Sequence, residues 1–521
     1  MTAATISDLL QSSAVRFGDR PALVMGNDAL TYRTFEDAAN RFACSLIRYG
    51  IRPGDRVALW APKSIEAIVA VWGVMKAGAA YVPIDVAAPA QRVMVILRDC
   101  AAGGLITTKS RATELGMITG RFEPLRAIWL SEPAADAPPL RGSPVVTWGE
   151  VEGESAAAPG IRVESDACAS IHYTSGSTGR PKGVAVAHRA LLEQVWWTQE
   201  FLQFSPDDRL PGHTPLHGAM STFELFVTVN AGATLFPVAP RLALFPRQVA
   251  KSWSEQRLTA LFAVPGVFVG MLQQDAFAAF DFSSVRLIGF GGERFPVERL
   301  RELMKLMPRV RFVNWFGCSE AKIRAFHELK SPIEESDTRR LGKVSSRCAL
   351  HVLDDDDRPV SAGAIGKLWV SGPVLMQGYW GLPELTAQVL REIGTSPAER
   401  VLAYCTGDLA KYRPDGGLEL IGRADRQVKI RGYRVELGEV EVALYGCPDV
   451  EFAMVTAVPD QAGGVSLKAI VKLKGGATTD AEEVKRVCAN ALPPHMLPKT
   501  IELRATLPRL SNGKVDRRAL C

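Results

Sequence analysis

The residues most able to do chemistry lie in one short segment, YTSGSTGRPKG, at positions 173–183. Its glycines let the backbone adopt positive φ and approach a ligand closely. Its hydroxyl groups can donate hydrogen bonds, and its lysine supplies a point charge that suits a phosphate. The segment therefore predicts a loop that binds a triphosphate. The predicted ligands are Thr174, Ser175, Gly176, Ser177, Thr178, Gly179 and Lys182.

This loop differs from the usual P-loop, in which Gly-Lys-Ser/Thr leads into a helix. Here Pro181 precedes the lysine, and a run of small and β-branched residues from Val184 to Val186 follows it. The predicted context is therefore strand, loop, strand. The competing interpretation is a Gly/Ser-rich surface loop without a ligand, and the embedded Pro-Lys-Gly favours the phosphate site.

Alternating strand and helix patterns must position this loop. Residues 56–60 and 81–84 predict short strands around a helical pattern at 64–76, which is the βαβ rhythm of a largely parallel sheet. Residues 134–159 are rich in Ala, Pro, Glu and Gly and predict a surface connection. The predicted fold class is α/β.

A domain boundary is predicted near residues 422–426. The residues after it carry their own strand and helix pattern and are numerous enough for a small domain. We therefore expect a large N-terminal core at 1–424 and a small C-terminal domain at 425–521.

The composition indicates a soluble globular protein. The chain has 521 residues, 47% hydrophobic and 22% charged, which is long enough for several cores. A formal net charge of +5, from 61 basic and 56 acidic residues, gives no reason to expect a nucleic-acid partner. The apolar stretch 67–84 is interrupted by Lys76 and glycines, so no membrane span is expected.

The cysteines and the N-terminus indicate the compartment. The nine cysteines contain no CxxC pair, which predicts reduced thiols rather than disulfides or a zinc site. The first residues lack the basic start and apolar run of a signal peptide. We therefore expect a cytoplasmic protein.

Further motifs accompany the loop in a fixed order. They are KAGAAYVPID at 76–85 before it, then NWFGCSEAK at 314–322, GYW at 378–380, YCTGDLAKYRPDGGLELIGRADRQVKIRGYRVELGEVE at 404–441 and LPRLSNGKVDRRAL at 507–520. The series resembles the adenylate-forming superfamily, and specifically the amino-acid-activating adenylation domains of nonribosomal peptide synthesis. The resemblance covers nearly the whole chain. It implies a large N-terminal domain of layered α/β subdomains plus a small barrel, and a small mobile α+β C-terminal domain that rotates about a hinge at Asp425.

The resemblance also implies the chemistry. A carboxylate attacks the α-phosphorus of ATP and expels pyrophosphate, and a thiol then attacks the acyl-adenylate. Two anions meet in the first step, so catalysis is expected from cations and dipoles placed where charge accumulates. Lys514 matches the catalytic lysine that bridges the substrate carboxylate and the α-phosphate. Glu320 matches the catalytic carboxylate that holds Mg2+, a cation that favours oxygen ligands.

The nucleotide-binding residues are carried over in the same way. Ser319 matches a phosphate contact, Asp408 the acceptor of the ribose hydroxyls, and Arg423 an arginine near the same sugar. Phe316 matches the aromatic residue that packs on adenine, and Asn314 and Gly317 lie on the same segment. Taken singly, Glu320 could be a solvated surface residue and Asp408 a turn residue. The common order of all these residues favours the nucleotide site.

The predicted acid pocket departs from the amino-acid-activating pattern. Ala219 stands where the family places the aspartate that pairs with the substrate ammonium, so a different substrate class or a different anchoring carboxylate is implied. The remaining pocket positions are Met220, Phe223, Ala263, Ile288, Phe290, Trp315, Ile323 and Arg324. They predict an apolar, aromatic-walled pocket with one guanidinium, which either pairs with an accepting group of the substrate or extends into solvent.

The leading functional hypothesis is an ATP-dependent ligase with ATP and Mg2+ as cofactors. It adenylates an amino-acid-like or other small carboxylic acid and transfers it to the phosphopantetheine thiol of a carrier protein. Because the sequence ends after the lysine motif with no GGxS attachment site, the carrier is expected to be a separate protein. The alternatives are an acyl-CoA or aryl-CoA ligase and a noncatalytic nucleotide-binding protein.

Overall fold

The computed structural model describes residues 3–117, 125–132, 142–176, 180–394, 400–460, 464–508, 515 and 520, without the side chains of residues 323 and 324. Four predicted site residues, Ser177, Thr178, Gly179 and Lys514, lie outside the described residues.

The described residues form two compact units. Unit 1 falls within Met1–Val86, Leu97–Tyr173 and Gly183–Ala424, and unit 2 within Ala87–Ile96, Thr174–Lys182 and Asp425–Cys521. That residues 1–424 and 425–521 are separate domains stays a prediction.

The described helices alternate with strands along most of the chain. The helices are α1 (Ile6–Phe17), α2 (Tyr32–Arg48), α3 (Ile65–Lys76), α4 (Ala90–Asp99), α5 (Lys109–Gly116), α6 (Trp148–Glu152), α7 (His188–Leu202), α8 (Ser221–Ala231), α9 (Pro246–Glu255), α10 (Pro265–Leu272), α11 (Ala276–Ala279), α12 (Val297–Leu306), α13 (Pro383–Val389), α14 (Leu437–Leu444) and α15 (Ala481–Ala489). Short 3-10 helices lie at Leu242–Leu244, Ser319–Ala321, Glu335–Arg339 and Pro494–Met496.

The described strands form several separate sheets. The strands are β1 (Pro21–Met25), β2 (Asp28–Thr31), β3 (Arg56–Trp60), β4 (Ala80–Pro83), β5 (Gly104–Thr107), β6 (Ala127–Leu130), β7 (Val145–Val146), β8 (Cys168–Thr174), β9 (Lys182–Ala187), β10 (Arg209–Gly212), β11 (Thr234–Pro237), β12 (Ala260–Ala263), β13 (Leu287–Gly291), β14 (Arg311–Gly317), β15 (Ile323–Leu329), β16 (Lys343–Val344), β17 (Ala349–Leu353), β18 (Ile365–Ser371), β19 (Gly378–Tyr379), β20 (Leu390–Ile393), β21 (Val401–Tyr412), β22 (Leu418–Arg423), β23 (Gln427–Ile430), β24 (Tyr433–Glu436), β25 (Val450–Pro459), β26 (Val465–Leu473) and β27 (Thr500–Leu503).

The largest sheet confirms the predicted βαβ arrangement. Its strand order is β19-β9-β8-β4-β3-β5-β6-β7, and β3 pairs in parallel with both β4 and β5. Helix α3 connects β3 to β4, and the side chain of the preceding residue, Ser64, caps the helix by accepting from Ala67 N. The helix ends at Lys76, which is buried and pairs with Glu36 at 2.6 Å. Lys76 of the KAGAAYVPID motif therefore has a structural partner.

A second sheet positions the candidate site. Its order is β12-β13-β14-β15-β16, with β12, β13 and β14 parallel and β15 antiparallel to β14. Parallel strands bring their carboxyl ends to one edge, where ligands of open α/β sheets bind. Two further sheets of unit 1 have the orders β10-β11-β1-β2 and β17-β18-β21-β20, with β22 paired to β21.

Unit 2 has its own core. Strands β25, β26 and β27 form one sheet, and β23 and β24 form a hairpin. Buried residues such as Val435, Leu444, Val455 and Cys488 join these strands to α14 and α15. The mixed α/β class, with a large N-terminal part and a smaller C-terminal part, is therefore confirmed.

The predicted surface connection at residues 134–159 contains two regular elements in its described part. Strand β7 and helix α6 lie within it. Helix α6 forms because Thr147 and Glu150 make a reciprocal capping box. The Trp148 ring then stacks on Phe42, with ring centroids 5.7 Å apart.

Two sequence expectations concern membranes and cysteines. Among the described helices, none combines the length and the apolar character needed to cross a bilayer. The eight cysteines of the described residues are free thiols.

His188 links acid stability to one buried contact. The His188 Nδ1 accepts a hydrogen bond from Ile6 N at 3.3 Å, and burial lowers the pKa of the imidazole from 6.5 to about 4. Between about pH 6.5 and pH 4, His188 is protonated in the unfolded chain but neutral in the folded protein. The free energy of unfolding should therefore fall by up to about 3 kcal/mol over this range.

Chemical unfolding of the wild type and of His188→Gln, measured between pH 7 and pH 4, tests this expectation. The variant keeps a neutral acceptor and should show the smaller pH dependence. Equal pH dependence in the two proteins would contradict the assignment.

Candidate active site

The candidate site begins at the carboxyl end of β14. Phe316 and Gly317 end this strand, and Ser319–Ala321 follow as one 3-10 turn. Phe316 is partly buried and packs against the cluster that contains Ala325 and Leu341. Asn314 donates a hydrogen bond from its Nδ2 to the Thr338 carbonyl at 3.2 Å. The motif NWFGCSE therefore forms a strand that leads into a tight turn.

Glu320 is a fully buried carboxylate at this turn. Its Oε1 accepts a hydrogen bond from the Tyr379 hydroxyl at 3.0 Å, and its carbonyl accepts from Met376 N at 2.8 Å. Tyr379 lies on β19, which pairs with β9. Sequence reasoning missed Tyr379 as a site residue, although the GYW motif contains it.

Asp408 and Arg423 form an ion pair on neighbouring strands. They are direct partners in the β21–β22 register, and Arg423 Nη1 lies 2.8 Å from Asp408 Oδ1. Arg423 Nη2 also donates to the Thr406 carbonyl at 3.3 Å. The antiparallel pairing therefore brings together the two residues that the sequence assigned to the ribose.

The predicted phosphate loop has the strand, loop, strand context expected for it. Strand β8 ends at Thr174, and β9 begins at Lys182, which is buried. Within unit 2, Ser175 Oγ donates to the Arg434 carbonyl at 2.9 Å, and Gly176 N donates to a Glu439 carboxylate oxygen at 3.0 Å. The backbone of this loop thus presents an N–H group to an anionic oxygen.

Three aromatic rings pack together beside the carboxyl ends of β12, β13 and β14. The Phe223 and Phe262 ring centroids lie 4.7 Å apart, and Trp315 lies 5.5 Å from Phe262 and 6.0 Å from Phe223. Gly289 and Gly291 make room for them, because a Cβ at Gly289 would lie 2.4 Å from Phe262 and 2.5 Å from Trp315. We call Phe223, Phe262 and Trp315 the aromatic triad.

The structure does not bring three predicted pocket residues to this triad. Side chains alternate between the two faces of a strand, so neighbours in sequence point to opposite sides. Ala263, Ile288 and Phe290 belong to the core cluster on the other face, together with α9, α10 and α12. Phe262, Gly289 and Gly291 lie on the same face as Trp315 instead. That Ala263, Ile288 and Phe290 line the acid pocket stays a prediction.

The other predicted pocket residues lie near the start of α8. The Ala219 carbonyl accepts a hydrogen bond from Thr222 Oγ1 at 2.9 Å, and Met220 is partly buried against the main core. Glu224 is bonded to Thr214 N and Oγ1 and lies 3.9 Å from Lys63. Burial raises the pKa of Glu224 to about 7.

Residues 323 and 324 begin β15, and their side chains lie outside the described part of the chain. The predicted guanidinium of Arg324 therefore stays a prediction.

Lys322 is a buried lysine that sequence reasoning did not single out. Its backbone has φ of 40° and ψ of −163°, which is uncommon for a residue with a Cβ. Burial lowers the pKa of its ammonium to about 8, opposed by the nearby Cys318 and Glu320. The only sequence signal was its place directly after the GCSEA motif.

A buried polar cluster lies near Lys322. Burial, reinforced by the Lys322 charge, lowers the pKa of His172 well below its usual value. His172 Nε2 is 3.4 Å from the Tyr81 hydroxyl, and its Nδ1 is 3.4 Å from the His217 carbonyl. Burial also lowers the pKa of His217, so both imidazoles are neutral at pH 7.

Metal ligation by a dedicated cluster is not seen in the described part of the chain. No group of three or more His, Cys, Asp or Glu residues there could hold a metal ion.

Comparison with protein families gives two matches. The model for AMP-binding enzymes matches residues 10–380, and the model for the C-terminal domain of AMP-binding enzymes matches residues 439–514.

Individual proteins agree with these matches. The chain is 31% identical over 516 residues to an L-proline--L-prolyl-carrier protein ligase of Pseudomonas fluorescens, with 99% of this chain and 98% of that protein covered. It is 33% identical over 522 residues to a dimodular nonribosomal peptide synthase of Bacillus subtilis, with 99% of this chain covered, but spans only 21% of that protein's length. The crystal structure of IdnL1 superposes with a TM-score of 0.81 at 28% identity, covering 98% of this chain and 100% of that one.

Gly289 should tolerate no side chain. Gly289→Ala would push a methyl group into Phe262 and Trp315, and overpacking of this kind lowers the free energy of unfolding by about 1–3 kcal/mol. Gly149→Ala in α6 is the matched control, because a Cβ there meets nothing within 4 Å. Thermal unfolding of both variants should show a loss for Gly289→Ala alone. Equal melting temperatures would mean that the triad does not pack on this glycine.

Proposed function

The chain belongs to the AMP-binding enzyme family, and on that premise we propose that it activates a short carboxylic acid with ATP and transfers the acyl group to the phosphopantetheine thiol of a separate carrier protein. It is an adenylate-forming ligase. The observation that supports the proposal most directly is Glu320, buried in the turn at the carboxyl end of a parallel strand. A fully buried carboxylate is uncommon, and the Lys322 charge interacts with this one.

The proposed reaction has two steps. A carboxylate oxygen of the acid attacks the α-phosphorus of ATP, and the bond to pyrophosphate breaks. The carrier thiolate then attacks the acyl carbon, and AMP leaves with the carboxylate oxygen that formed the new bond. Both steps move negative charge, so fixed cations and dipoles supply the catalysis. We assign Lys514 to the first step as the cation between the carboxylate and the α-phosphate.

The residues of the nucleotide site take separate roles in this proposal. Asp408, oriented by Arg423, accepts hydrogen bonds from the ribose hydroxyls, and Phe316 packs on the adenine. Ser319 contacts a phosphate oxygen. Asn314 and Gly317 shape the same segment, and the phosphate loop, including Lys182, holds the triphosphate.

A magnesium ion fits this site. Glu320 offers a buried carboxylate, and Mg2+ in nucleotide sites is bound by one or two carboxylates together with phosphate oxygens. The ion would neutralise phosphate charge. The Tyr379 hydroxyl orients the Glu320 carboxylate through the 3.0 Å hydrogen bond.

The aromatic triad limits the size of the acid. Phe223 and Phe262 are at most 1% exposed and Trp315 is 5% exposed, so the rings fill much of the space beside Gly289 and Gly291. We therefore propose that the acid is short. Because Ala219 offers no anion for an α-ammonium group, we also propose that the acid is not an ordinary α-amino acid.

The acceptor is a carrier protein rather than coenzyme A in this proposal. The Pseudomonas fluorescens relative, which this chain matches over nearly its full length, bears the name of a carrier-protein ligase. We further propose that the C-terminal part turns about Asp425 between the two steps and that the enzyme works in the cytoplasm.

Lys514→Ala tests the proposed reaction. Removing one placed cation should reduce acid-dependent ATP–pyrophosphate exchange roughly 10²- to 10³-fold. Thiol transfer from a preformed acyl-adenylate should stay largely intact, because that step does not need the bridging charge. Lys499→Ala is the matched control, since Lys499 is 62% exposed and pairs with Asp460 at 3.3 Å. Equal loss of both half-reactions in Lys514→Ala would contradict the assigned role.

Trp315→Leu tests the proposed pocket. Shortening this ring should raise kcat/KM for bulkier acids relative to the native short acid by about tenfold or more. Phe290→Leu makes a similar change on the opposite face of the sheet and should leave substrate preference unchanged. If Phe290→Leu broadens the preference and Trp315→Leu does not, the acid pocket lies on the other face.

A further inference from the structure

Lys322 differs from the other buried lysines of unit 1. Among the described residues, its Nζ has no hydrogen-bond partner, and the residue is 2% exposed. Lys76 pairs with Glu36 at 2.6 Å, and Lys63 lies 3.9 Å from Glu224. A buried ammonium without a hydrogen-bond partner is costly because the charge loses its water, and the nearby Cys318 and Glu320 offset only part of that cost here.

The backbone at Lys322 is also held in an unusual conformation. A φ of 40° with a ψ of −163° is rarely adopted by a residue that has a side chain. Such strain persists only where the surrounding structure enforces it, and it clusters at ligand sites. Both the backbone and the side chain of Lys322 therefore carry a cost that the folded protein alone does not explain.

A series of interactions connects Lys322 to the region of the predicted acid pocket. Its charge acts on His172, whose Nδ1 lies 3.4 Å from the His217 carbonyl. Gly218 and Ala219 follow His217 directly. The region where amino-acid activators would place a carboxylate thus has an alanine, and the Lys322 charge acts on the histidine that contacts His217. A cation in place of a carboxylate favours an anionic group on the substrate.

Glu320 does not remove this requirement. It is two residues before Lys322, but its carboxylate already accepts from Tyr379 and is the proposed magnesium ligand. If Glu320 held a magnesium ion, its charge would be shared with the metal. Lys322 would then need a further counter-ion.

We propose that the acid substrate carries a second carboxylate and that the Lys322 ammonium pairs with it in the bound state. This inference rests on the proposed adenylation function and names the substrate class for it, a short dicarboxylic acid. Lys322 is then a specificity-determining residue. Its desolvation is already complete before the substrate arrives, so the pairing favours a charged partner strongly over a neutral one.

A phosphate of ATP is the other anion that could pair with Lys322. We favour the second carboxylate because the contacts through His172 and His217 lead toward Ala219. The two sources differ in a measurable way. A phosphate contact affects every acid substrate equally, whereas a carboxylate contact affects only acids that have the second charge.

The test is acid-dependent ATP–pyrophosphate exchange by the full chain with matched acids. The probes are malonate and succinate, their half-amides and butyrate. A half-amide keeps the shape of the dicarboxylic acid and removes its second charge. The wild type should prefer a dicarboxylic acid over its half-amide. Lys322→Met should lower kcat/KM for the dicarboxylic acid about 10- to 100-fold, the loss expected for one charged hydrogen bond.

Three further readouts separate this role from others. In Lys322→Met, kcat/KM for the half-amide and for butyrate and the KM for ATP should stay close to wild-type values. The melting temperature should stay the same or rise, because an unpaired buried charge is replaced by an apolar chain. Lys305→Met, which removes an exposed lysine of α12, should change none of these quantities.

Several results would overturn the inference. A uniform loss with all acids and a raised KM for ATP would assign Lys322 to a phosphate. A lower melting temperature with unchanged selectivity would make the residue structural. If the wild type prefers butyrate or a half-amide, the substrate is not a dicarboxylic acid, but the proposed adenylation reaction still holds. Absence of exchange with every acid would overturn the proposed function itself.

Discussion

The alternation of side chains along β12, β13 and β14 is the constraint on which the site depends. The three strands are parallel and in register, so one face receives Phe262, Gly289 and Trp315, and the other receives Ala263, Ile288 and Phe290. The first face borders α8 and holds the aromatic triad. A shift of one residue would exchange the two sets and move the rings away from the candidate site.

Buried charge is the second determinant of the site. Unit 1 contains buried lysines at positions 63, 76 and 322, and the structure pairs the first two with carboxylates. The neighbouring imidazoles of His172 and His217 are kept neutral by burial. Lys322 has no hydrogen-bond partner for its Nζ among the described residues, and it is the cation for which we propose a partner from the substrate. The same reasoning underlies the proposal that the alanine at position 219 changes the class of acid.

Sequence motifs predicted the family, the α/β class and the strand–loop–strand context of the predicted phosphate loop, and they assigned Asp408 and Arg423, which the structure pairs, to the same sugar. These features depend on local pattern and order, which a sequence displays directly. The face that each predicted pocket residue of β12 and β13 occupies could not be read from the sequence, because a shift of one residue moves a side chain to the opposite face. Tyr379 and Lys322 were missed because their roles arise from burial and from contacts between distant strands.

The central claim is that the acid itself attacks the α-phosphorus of ATP. The most direct measurement uses an acid labelled with oxygen-18 in its carboxylate, together with ATP and the carrier protein, and follows the label by mass spectrometry. The account predicts that AMP carries one labelled oxygen and that the pyrophosphate carries none. Label in inorganic phosphate together with ADP would contradict the account, because it would place the attack at the γ-phosphorus.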